Sequence, residues 1–186
     1  MEIIRHSAIL KRETTALLII DIQERIIAAM QNHVRVIENA LKLVRGFKVM
    51  NLPVYYTEQY PKGLGGTVQI LKNELESDAV QKMSFSCFGA GDLFRELIAK
   101  GITQIVTCGV ESHVCVQQSA LDLVANGFKV CLAADAASSR RELDYNMAMD
   151  RMRSHGIEVT TTESILFELL NVCGTDEFKA VSKIVK

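Results

Sequence analysis

Residues 16–21 (ALLIID) form an uninterrupted apolar run that ends in an acidic residue. Consecutive apolar residues of this length are typical of a strand that is buried on both faces, as in a parallel sheet. Asp21 would then lie at the carboxyl end of that strand. Because ligands of open parallel sheets bind beyond the carboxyl ends of the strands, Asp21 is a candidate functional residue.

Strand-like and helix-like segments alternate along the rest of the chain. Further strands are predicted at 53–57, 104–108, 128–134 and 158–162, with a short extended piece inside 78–87. Helices are predicted at 24–47, 91–100, 113–125, 143–154, 163–170 and 176–185. This alternation predicts an α/β protein with a parallel sheet covered on both faces. Since no shift in composition marks a boundary, we expect one domain over residues 1–186.

The charge pattern limits the possible partners. The net charge is -1, with acidic and basic residues interspersed and no basic stripe, so we expect no nucleic-acid partner. The longest apolar run, Ala16–Ile20, is too short to cross a bilayer. Charges interrupt the N-terminal stretch MEIIRHSAILKRETT, which predicts no secretory signal. We therefore expect a cytoplasmic protein that acts on a small molecule without a membrane.

The five cysteines are odd in number and form no CxxC pair. This pattern argues against a disulfide framework or a structural zinc site and favours a reducing compartment. Cys115 differs from the others because it falls in the first turn of a predicted helix, where backbone N–H groups favour a thiolate. Asp21 could accept its proton and Lys82 could balance the charges. From the residues alone, a core thiol is the more common role for such a cysteine.

Three segments together resemble one known family. Asp21 in LLIIDIQ, Lys82 in QKMSFSCFG and Cys115 in CGVESHVCVQQSALDL resemble the Asp-Lys-Cys triad of the isochorismatase-like cysteine hydrolases. The segments EQYPKGLGGTV, SFSCFG and GVESHVC are most similar to the small isochorismatase domain-containing proteins. The resemblance covers nearly the whole chain in order. It implies a three-layer α/β/α, Rossmann-like fold with a six-stranded parallel sheet.

The resemblance also implies a mechanism. Asp21 would deprotonate Cys115, which attacks a carbonyl carbon of a small amide- or imide-type substrate and forms a thioester acyl-enzyme. Lys82 would hold the ion pair. The backbone N–H groups of Glu111 and Cys115 would form the oxyanion hole, beside a cis peptide at Val110–Glu111. Members of the family often form homo-oligomers, so we expect one here.

Four further residues are candidates for contact with the substrate. They are Gln23, Tyr60, Phe85 and Val110, although Gln23 could equally cap a helix and the two aromatic residues could pack or contact another subunit. Nicotinamidases of this superfamily have an Asp-x-His metal motif after the second strand, where this chain reads TEQY at 57–60. We therefore expect no metal ion and no other cofactor.

Three alternatives remain open. One is hydrolysis of an isochorismatase-type ether, although a cysteine nucleophile favours amide or imide chemistry. Another is a catalytically silent interaction protein with the same fold. A dinucleotide-binding module fits the sheet class, but the turn after the first strand, DIQERI, lacks the GxGxxG motif that cradles a pyrophosphate.

Overall fold

The computed structural model describes residues 5–186. Residues 1–4, which begin the stretch in which no secretory signal is expected, lie outside the described part. Six strands form one parallel sheet in the order β3-β2-β1-β4-β5-β6. Their bounds are β1 Thr15–Ile20, β2 Val54–Gln59, β3 Val80–Lys82, β4 Gln104–Val110, β5 Lys129–Ser138 and β6 Glu158–Thr160.

Nine α-helices accompany the strands in the described residues. They are α1 Glu24–Ile27, α2 His33–Val49, α3 Pro61–Leu64, α4 Gln69–Lys72, α5 Leu93–Ala99, α6 Gln117–Ala125, α7 Glu142–Ser154, α8 Thr162–Leu170 and α9 Asp176–Val185. Short 3-10 turns cover Arg12–Thr14 and Cys87–Gly89, and a π-helical turn, Ser112–Val116, leads directly into α6.

Two hydrophobic layers enclose the sheet. In β1, Leu17 and Ile19 pack in the layer that includes residues of α2, α8 and α9, whereas Leu18 and Ile20 pack in the layer that includes residues of α5, α6 and α7. All six residues of β1 are buried, because alternate side chains point to opposite, helix-covered faces. The predicted three-layer α/β/α fold with a six-stranded parallel sheet is confirmed.

The prediction of a single helix over 24–47 is wrong in one respect. The helix is divided into α1 and α2, and Asn32 between them adopts a left-handed conformation with φ 53°. Asparagine tolerates this conformation better than most residues. The linking segment is bound to the end of β5, since the Gln31 N–H donates to the carbonyl of Ser139, the residue after that strand, at 3.2 Å.

The strand predicted at 128–134 continues to Ser138 as β5. Its register against β4 shifts between Thr107 and Gly109. The Asp135 side chain accepts hydrogen bonds from the Thr162 N–H and hydroxyl at 2.8 and 2.9 Å. Asp135 thus connects β5 to the first residue of α8.

Within residues 5–186, every helix is either too short or too polar to cross a membrane.

Candidate active site

Asp21 and Lys82 form a buried ion pair at the carboxyl edge of the sheet. Asp21 directly follows β1, and Lys82 is the last residue of β3. Lys82 Nζ lies 2.6 Å from Asp21 Oδ2, and their side chains are only 0% and 1% exposed. Lys82 Nζ also donates to the carbonyls of Ser84 and Phe85 at 3.2 and 2.9 Å. These bonds and the ion pair offset the free-energy cost of burying the Lys82 ammonium group.

The second oxygen of Asp21 is occupied by Thr57. The Thr57 hydroxyl in β2 donates to Asp21 Oδ1 at 2.7 Å, and both residues are almost completely buried. Cys87 Sγ lies 3.8 Å from the same hydroxyl oxygen. Each carboxylate oxygen of Asp21 therefore has a hydrogen-bond donor, which fixes the orientation of the group.

Cys115 lies in the π-helical turn Ser112–Val116, which follows β4 and precedes α6. The residue is 4% exposed. Burial, followed by the negative charge of Asp21, raises the pKa of the Cys115 thiol, while the positive charge of Lys82 acts in the opposite direction. The three residues predicted as a triad thus share one buried region, and its resting cysteine is a thiol.

The hydrogen-bond acceptor of the thiol is Gln59, the last residue of β2. Cys115 Sγ donates to Gln59 Oε1 at 2.9 Å, and Lys82 Nζ lies 3.4 Å from the same oxygen. Gln59 consequently connects the cysteine to the Asp21–Lys82 pair.

Gln23 holds the backbone of Gln59 and does not bind the Asp21 carboxylate. Its Oε1 accepts from the Gln59 N–H at 2.8 Å, and its Nε2 donates to the carbonyls of Gln59 and Gly65 at 3.0 and 2.7 Å. Gln23 is 0% exposed. Both polar groups of its side chain are engaged with the backbone, so the structure places Gln23 beneath the site as a support.

The turn before Cys115 carries two of the predicted residues. The peptide bond between Val110 and Glu111 is cis. The Val110 side chain is fully buried in a hydrophobic cluster, and the Glu111 carboxylate binds Arg140 Nε at 2.8 Å. The Glu111 N–H donates to no acceptor within residues 5–186, which leaves it available to a ligand. Since the Val110 side chain packs in the core, it is not open to solvent.

Gly109 allows β4 to approach β1 next to this site. Its φ is 126°, and a Cβ atom at this position would lie 2.0 Å from the Ile20 carbonyl oxygen. A side chain here would displace the residue that immediately precedes Asp21.

Tyr60 and Phe85 lie at the surface beside the polar centre. Both are about half exposed, and Met83 and Phe88 are more exposed still. A cleft of about 360 Å³ is lined by Pro61, Gln81, Lys82, Met83, Ser84 and Gly89. Neither aromatic candidate lines this cleft, but the backbone of each binds Lys82: the Tyr60 N–H donates to the Lys82 carbonyl at 2.9 Å, and the Phe85 carbonyl accepts from Lys82 Nζ at 2.9 Å.

The first three side chains of the TEQY segment are committed to other contacts. Glu58 Oε1 accepts from the Thr67 N–H and hydroxyl at 2.7 and 2.9 Å, and Thr57 and Gln59 bind Asp21 and Cys115. In the part of the chain that the structure describes, no group of three or more His, Cys, Asp or Glu side chains could hold a metal ion.

Thr57 and Gln59 are the site residues that the sequence reasoning missed. They are two positions apart in one strand and therefore point to the same face. The signal available in the sequence was that both residues follow PVYY closely. They therefore fall at the carboxyl end of the second strand, at the same edge of the sheet as Asp21.

The fold and the site define a class of protein: α/β proteins with a polar site at the carboxyl edge of a parallel sheet. A model of the family "Isochorismatase domain" matches residues 15–164. The chain belongs to this family, and the resemblance inferred from the sequence is confirmed.

Individual relatives agree with this assignment. Isochorismatase domain-containing protein 1 of Salmo salar is 41% identical over 93% of this chain, which spans only 61% of that relative's length. The solved structure of MAR1 ribonuclease from Caenorhabditis elegans is 31% identical, with a TM-score of 0.87 and coverage of 95% of this chain and 91% of that one.

A third protein is similar at the level of the fold. The YcaC gene product of Escherichia coli, described as an octameric hydrolase of unknown specificity, has a TM-score of 0.89 at 24% identity, with coverage of 97% of this chain and 91% of that one.

Proposed function

We propose that this protein is a cysteine hydrolase of a small amide- or imide-type substrate, with Asp21, Lys82 and Cys115 as its catalytic residues. The observation that carries the proposal is the buried Asp21–Lys82 pair beside the thiol of Cys115. A nucleophile, a base and a cation in one enclosed region are the groups that acyl transfer requires.

The reaction begins with transfer of the Cys115 proton to Asp21. Sγ then bonds to the substrate carbonyl carbon, and the electrons of the C=O double bond move to oxygen. Lys82 keeps its positive charge beside the site, and the N–H groups of Glu111 and Cys115 donate to the oxyanion. Loss of one such donor typically costs about 2.7–4 kcal/mol of transition-state stabilisation.

Collapse of the tetrahedral intermediate breaks the C–N bond. The leaving nitrogen takes the proton from Asp21, and a thioester on Cys115 remains. Asp21 then takes a proton from water, the hydroxide oxygen attacks the thioester carbonyl, and the C–S bond breaks. Sγ regains the proton from Asp21, so one water is consumed and the enzyme is restored.

The raised pKa of Cys115 fits this order of events. A thiol that remains protonated at rest gains its charge only as it attacks, with the base and the cation already in place. The buried site also limits access of water to the intermediate until the amine has left.

A panel of small amides, imides and ureas tests the proposal. We expect hydrolysis by the wild type, loss of at least 10³-fold in rate for Cys115→Ala, and little change for Cys173→Ala, which alters the exposed cysteine. Mass spectrometry of acid-quenched enzyme should detect the acyl group on Cys115. Retention of full activity by Cys115→Ala would exclude the cysteine mechanism.

Other outcomes of the same panel separate the alternatives. Cleavage of isochorismate that is insensitive to Cys115→Ala would indicate ether hydrolysis, and inertness towards every compound would support a catalytically silent interaction protein. The name of the Caenorhabditis elegans relative makes RNA hydrolysis a second candidate. RNA cleavage by purified wild type, abolished in Cys115→Ala, would favour it over amide hydrolysis.

We further propose that the chain forms a homo-oligomer through the apolar rim defined by Tyr60, Met83, Phe85 and Phe88. Their exposure next to the site, and the octamer described for the Escherichia coli protein, support this proposal. Light scattering should give a multiple of the 20.7 kDa chain mass. A monomer at micromolar concentration would contradict it.

We also propose that the whole chain behaves as one domain, because all six strands belong to one sheet and a single hydrophobic cluster covers each of its two faces. Urea unfolding monitored by circular dichroism and by intrinsic tyrosine fluorescence should give coincident single transitions. Two separated transitions would contradict a single domain.

A further inference from the structure

The end of β2 contributes two side chains to the same region. Thr57 and Gln59 are two positions apart and therefore project from one face of the strand. Thr57 donates to the base, Asp21, whereas Gln59 accepts from the nucleophile, Cys115. Gln59 is a neutral residue without a role in the hydrolysis steps proposed above.

The atom of Gln59 that faces the thiol is the carbonyl oxygen. Lys82 Nζ lies 3.4 Å from the same atom, and an ammonium group carries only donors, so its neighbour must be an acceptor. An amide nitrogen in this place would face the ammonium with two further hydrogens. The thiol of Cys115 must therefore act as the donor in its 2.9 Å bond to Gln59.

Both carboxylate oxygens of the base already accept a hydrogen bond in this arrangement. Asp21 Oδ1 accepts from Thr57 at 2.7 Å and Oδ2 from Lys82 at 2.6 Å. The hydrogen bond of Cys115 goes to Gln59 instead. The resting thiol thus donates to Gln59 Oε1, while Asp21 lies close enough to raise the pKa of the same thiol and to receive its proton once Gln59 moves away.

The backbone of Gln59 is held firmly while its side chain ends in the site. Gln23 binds both the N–H and the carbonyl of Gln59, at 2.8 and 3.0 Å. The carboxamide can therefore leave the thiol only by rotation of its own side chain, and Gln59 is partly exposed to solvent. A ligand entering from that side would meet the carboxamide first.

We infer that Gln59 is a positioning residue that holds the thiol hydrogen of Cys115 on its carbonyl oxygen until a bound substrate displaces the carboxamide. This inference rests on the proposed function, because it concerns the same nucleophile. After displacement the Cys115 proton moves from Sγ to a carboxylate oxygen of Asp21, with no other bond made or broken. The substrate itself would thus start the activation of the thiol.

The ionisable groups that surround Cys115 define the expected pH behaviour. They are Asp21 after β1, Lys82 at the end of β3 and Cys87 in the 3-10 turn; Glu111, earlier in the turn, is paired with Arg140, and His113 binds Ser139. Gln59 adds no charge to this set. A neutral acceptor stabilises the thiol form alone, so its removal should favour the thiolate.

Alkylation of Cys115 in the folded protein tests the inference without a known substrate. Peptide mass spectrometry would follow iodoacetamide labelling between pH 7 and 9, with exposed Cys173 as the internal reference. In Gln59→Leu, which keeps the bulk but loses the acceptor, we expect Cys115 to react about three- to tenfold faster, as the loss of one hydrogen bond implies. Gln59→Glu should slow labelling, because a carboxylate there opposes the thiolate.

Two controls separate ionisation from access. N-ethylmaleimide, which is larger, should show the same fold-change as iodoacetamide if the thiolate fraction is responsible, and a size-dependent ratio would contradict the inference. Gln59→Met provides a second uncharged variant if the Leu variant fails to fold, as judged by circular dichroism. Equal or slower labelling in the folded uncharged variant would overturn the role of Gln59.

The two proposals fail in different ways. Unchanged labelling in the uncharged Gln59 variants would remove the inference and leave the Cys115-dependent hydrolysis intact. Retained hydrolysis in Cys115→Ala would instead remove the cysteine mechanism, whatever the labelling rates are.

Discussion

Lys82 Nζ lies 2.6 Å from Asp21 Oδ2 in a region where neither side chain reaches solvent. Because removal of one partner leaves the other charge buried, we predict that Lys82→Met lowers the free energy of unfolding by about 3–5 kcal/mol at neutral pH. Urea denaturation measures the loss. In the double variant Asp21→Asn, Lys82→Met no charge remains, and most of the stability should return. A double variant as unstable as the single one would show that the pair is not coupled.

Thr57 fixes one oxygen of Asp21 through a 2.7 Å hydrogen bond. Thr57→Val keeps the shape of the side chain but leaves a buried carboxylate oxygen without its donor. We predict a loss of about 1–3 kcal/mol in unfolding free energy and a fall in kcat on any amide found to be a substrate. Thr57→Ser, which keeps the hydroxyl, should retain most of both. Equal kcat in the Val and Ser variants would argue against a role for the hydroxyl.

Gln23 makes three hydrogen bonds to the backbone of Gln59 and Gly65. Gln23→Met removes all three within a fully buried environment, so we predict destabilisation by at least about 2 kcal/mol. Gln81→Met, at an exposed position of β3, is the matched control and should change stability by less than about 0.5 kcal/mol. Comparable urea midpoints for the two variants would contradict the supporting role of Gln23.

Gly109 differs from the other left-handed glycines because a Cβ atom there would collide with the Ile20 carbonyl at 2.0 Å. Gly127 has φ 86° and no atom within 4 Å of such a Cβ, so it isolates the conformational cost alone. We predict that Gly127→Ala costs about 1–2 kcal/mol and that Gly109→Ala costs clearly more. Thermal unfolding of the two variants tests the difference, and equal melting temperatures would contradict it.

Burial raises the pKa of Cys87 to about 11. Above pH 9 the unfolded chain loses this thiol proton while the folded chain keeps it, so unfolding becomes more favourable as pH rises. The contribution of this thiol to the free energy of unfolding is fully present below the pKa of the unfolded chain. By pH 11 that contribution has declined by on the order of 2–3 kcal/mol. Urea midpoints of wild type and Cys87→Ala between pH 8 and 11 should show a shallower decline in the variant. Parallel declines would exclude this contribution.

The sheet was predictable because local sequence and tertiary environment agree. Residues 16–20 are apolar without interruption, as a strand covered on both faces requires, and β1 occupies Thr15–Ile20. The division between α1 and α2 was not predictable from periodicity, since the apolar spacing continues across Asn32. The length of β5 was missed because the register shift opposite β4 depends on the neighbouring strand.

The candidate site was predictable only in part. Asp21, Lys82 and Cys115 stand out by type and position, and their motifs resemble those of the family. Gln23 was singled out for a contact with substrate or Asp21, but the backbone groups that it binds come from residues 59 and 65, which the sequence does not place beside it. Gln59 was missed because a neutral amide carries no signal of its own until the thiol is found next to it.

The strand order determines when the site can be completed during synthesis. β1 has β2 on one side and β4 on the other, so residues 15–82 can form half of the sheet while one edge of β1 still lacks its partner. Asp21 and Lys82 belong to this first half, whereas Cys115 follows β4 and is synthesised after both. The carboxylate of Asp21 and the ammonium group of Lys82 can therefore pair before Cys115 is synthesised, and an interrupted chain would expose the edge of its most apolar strand to other nascent chains.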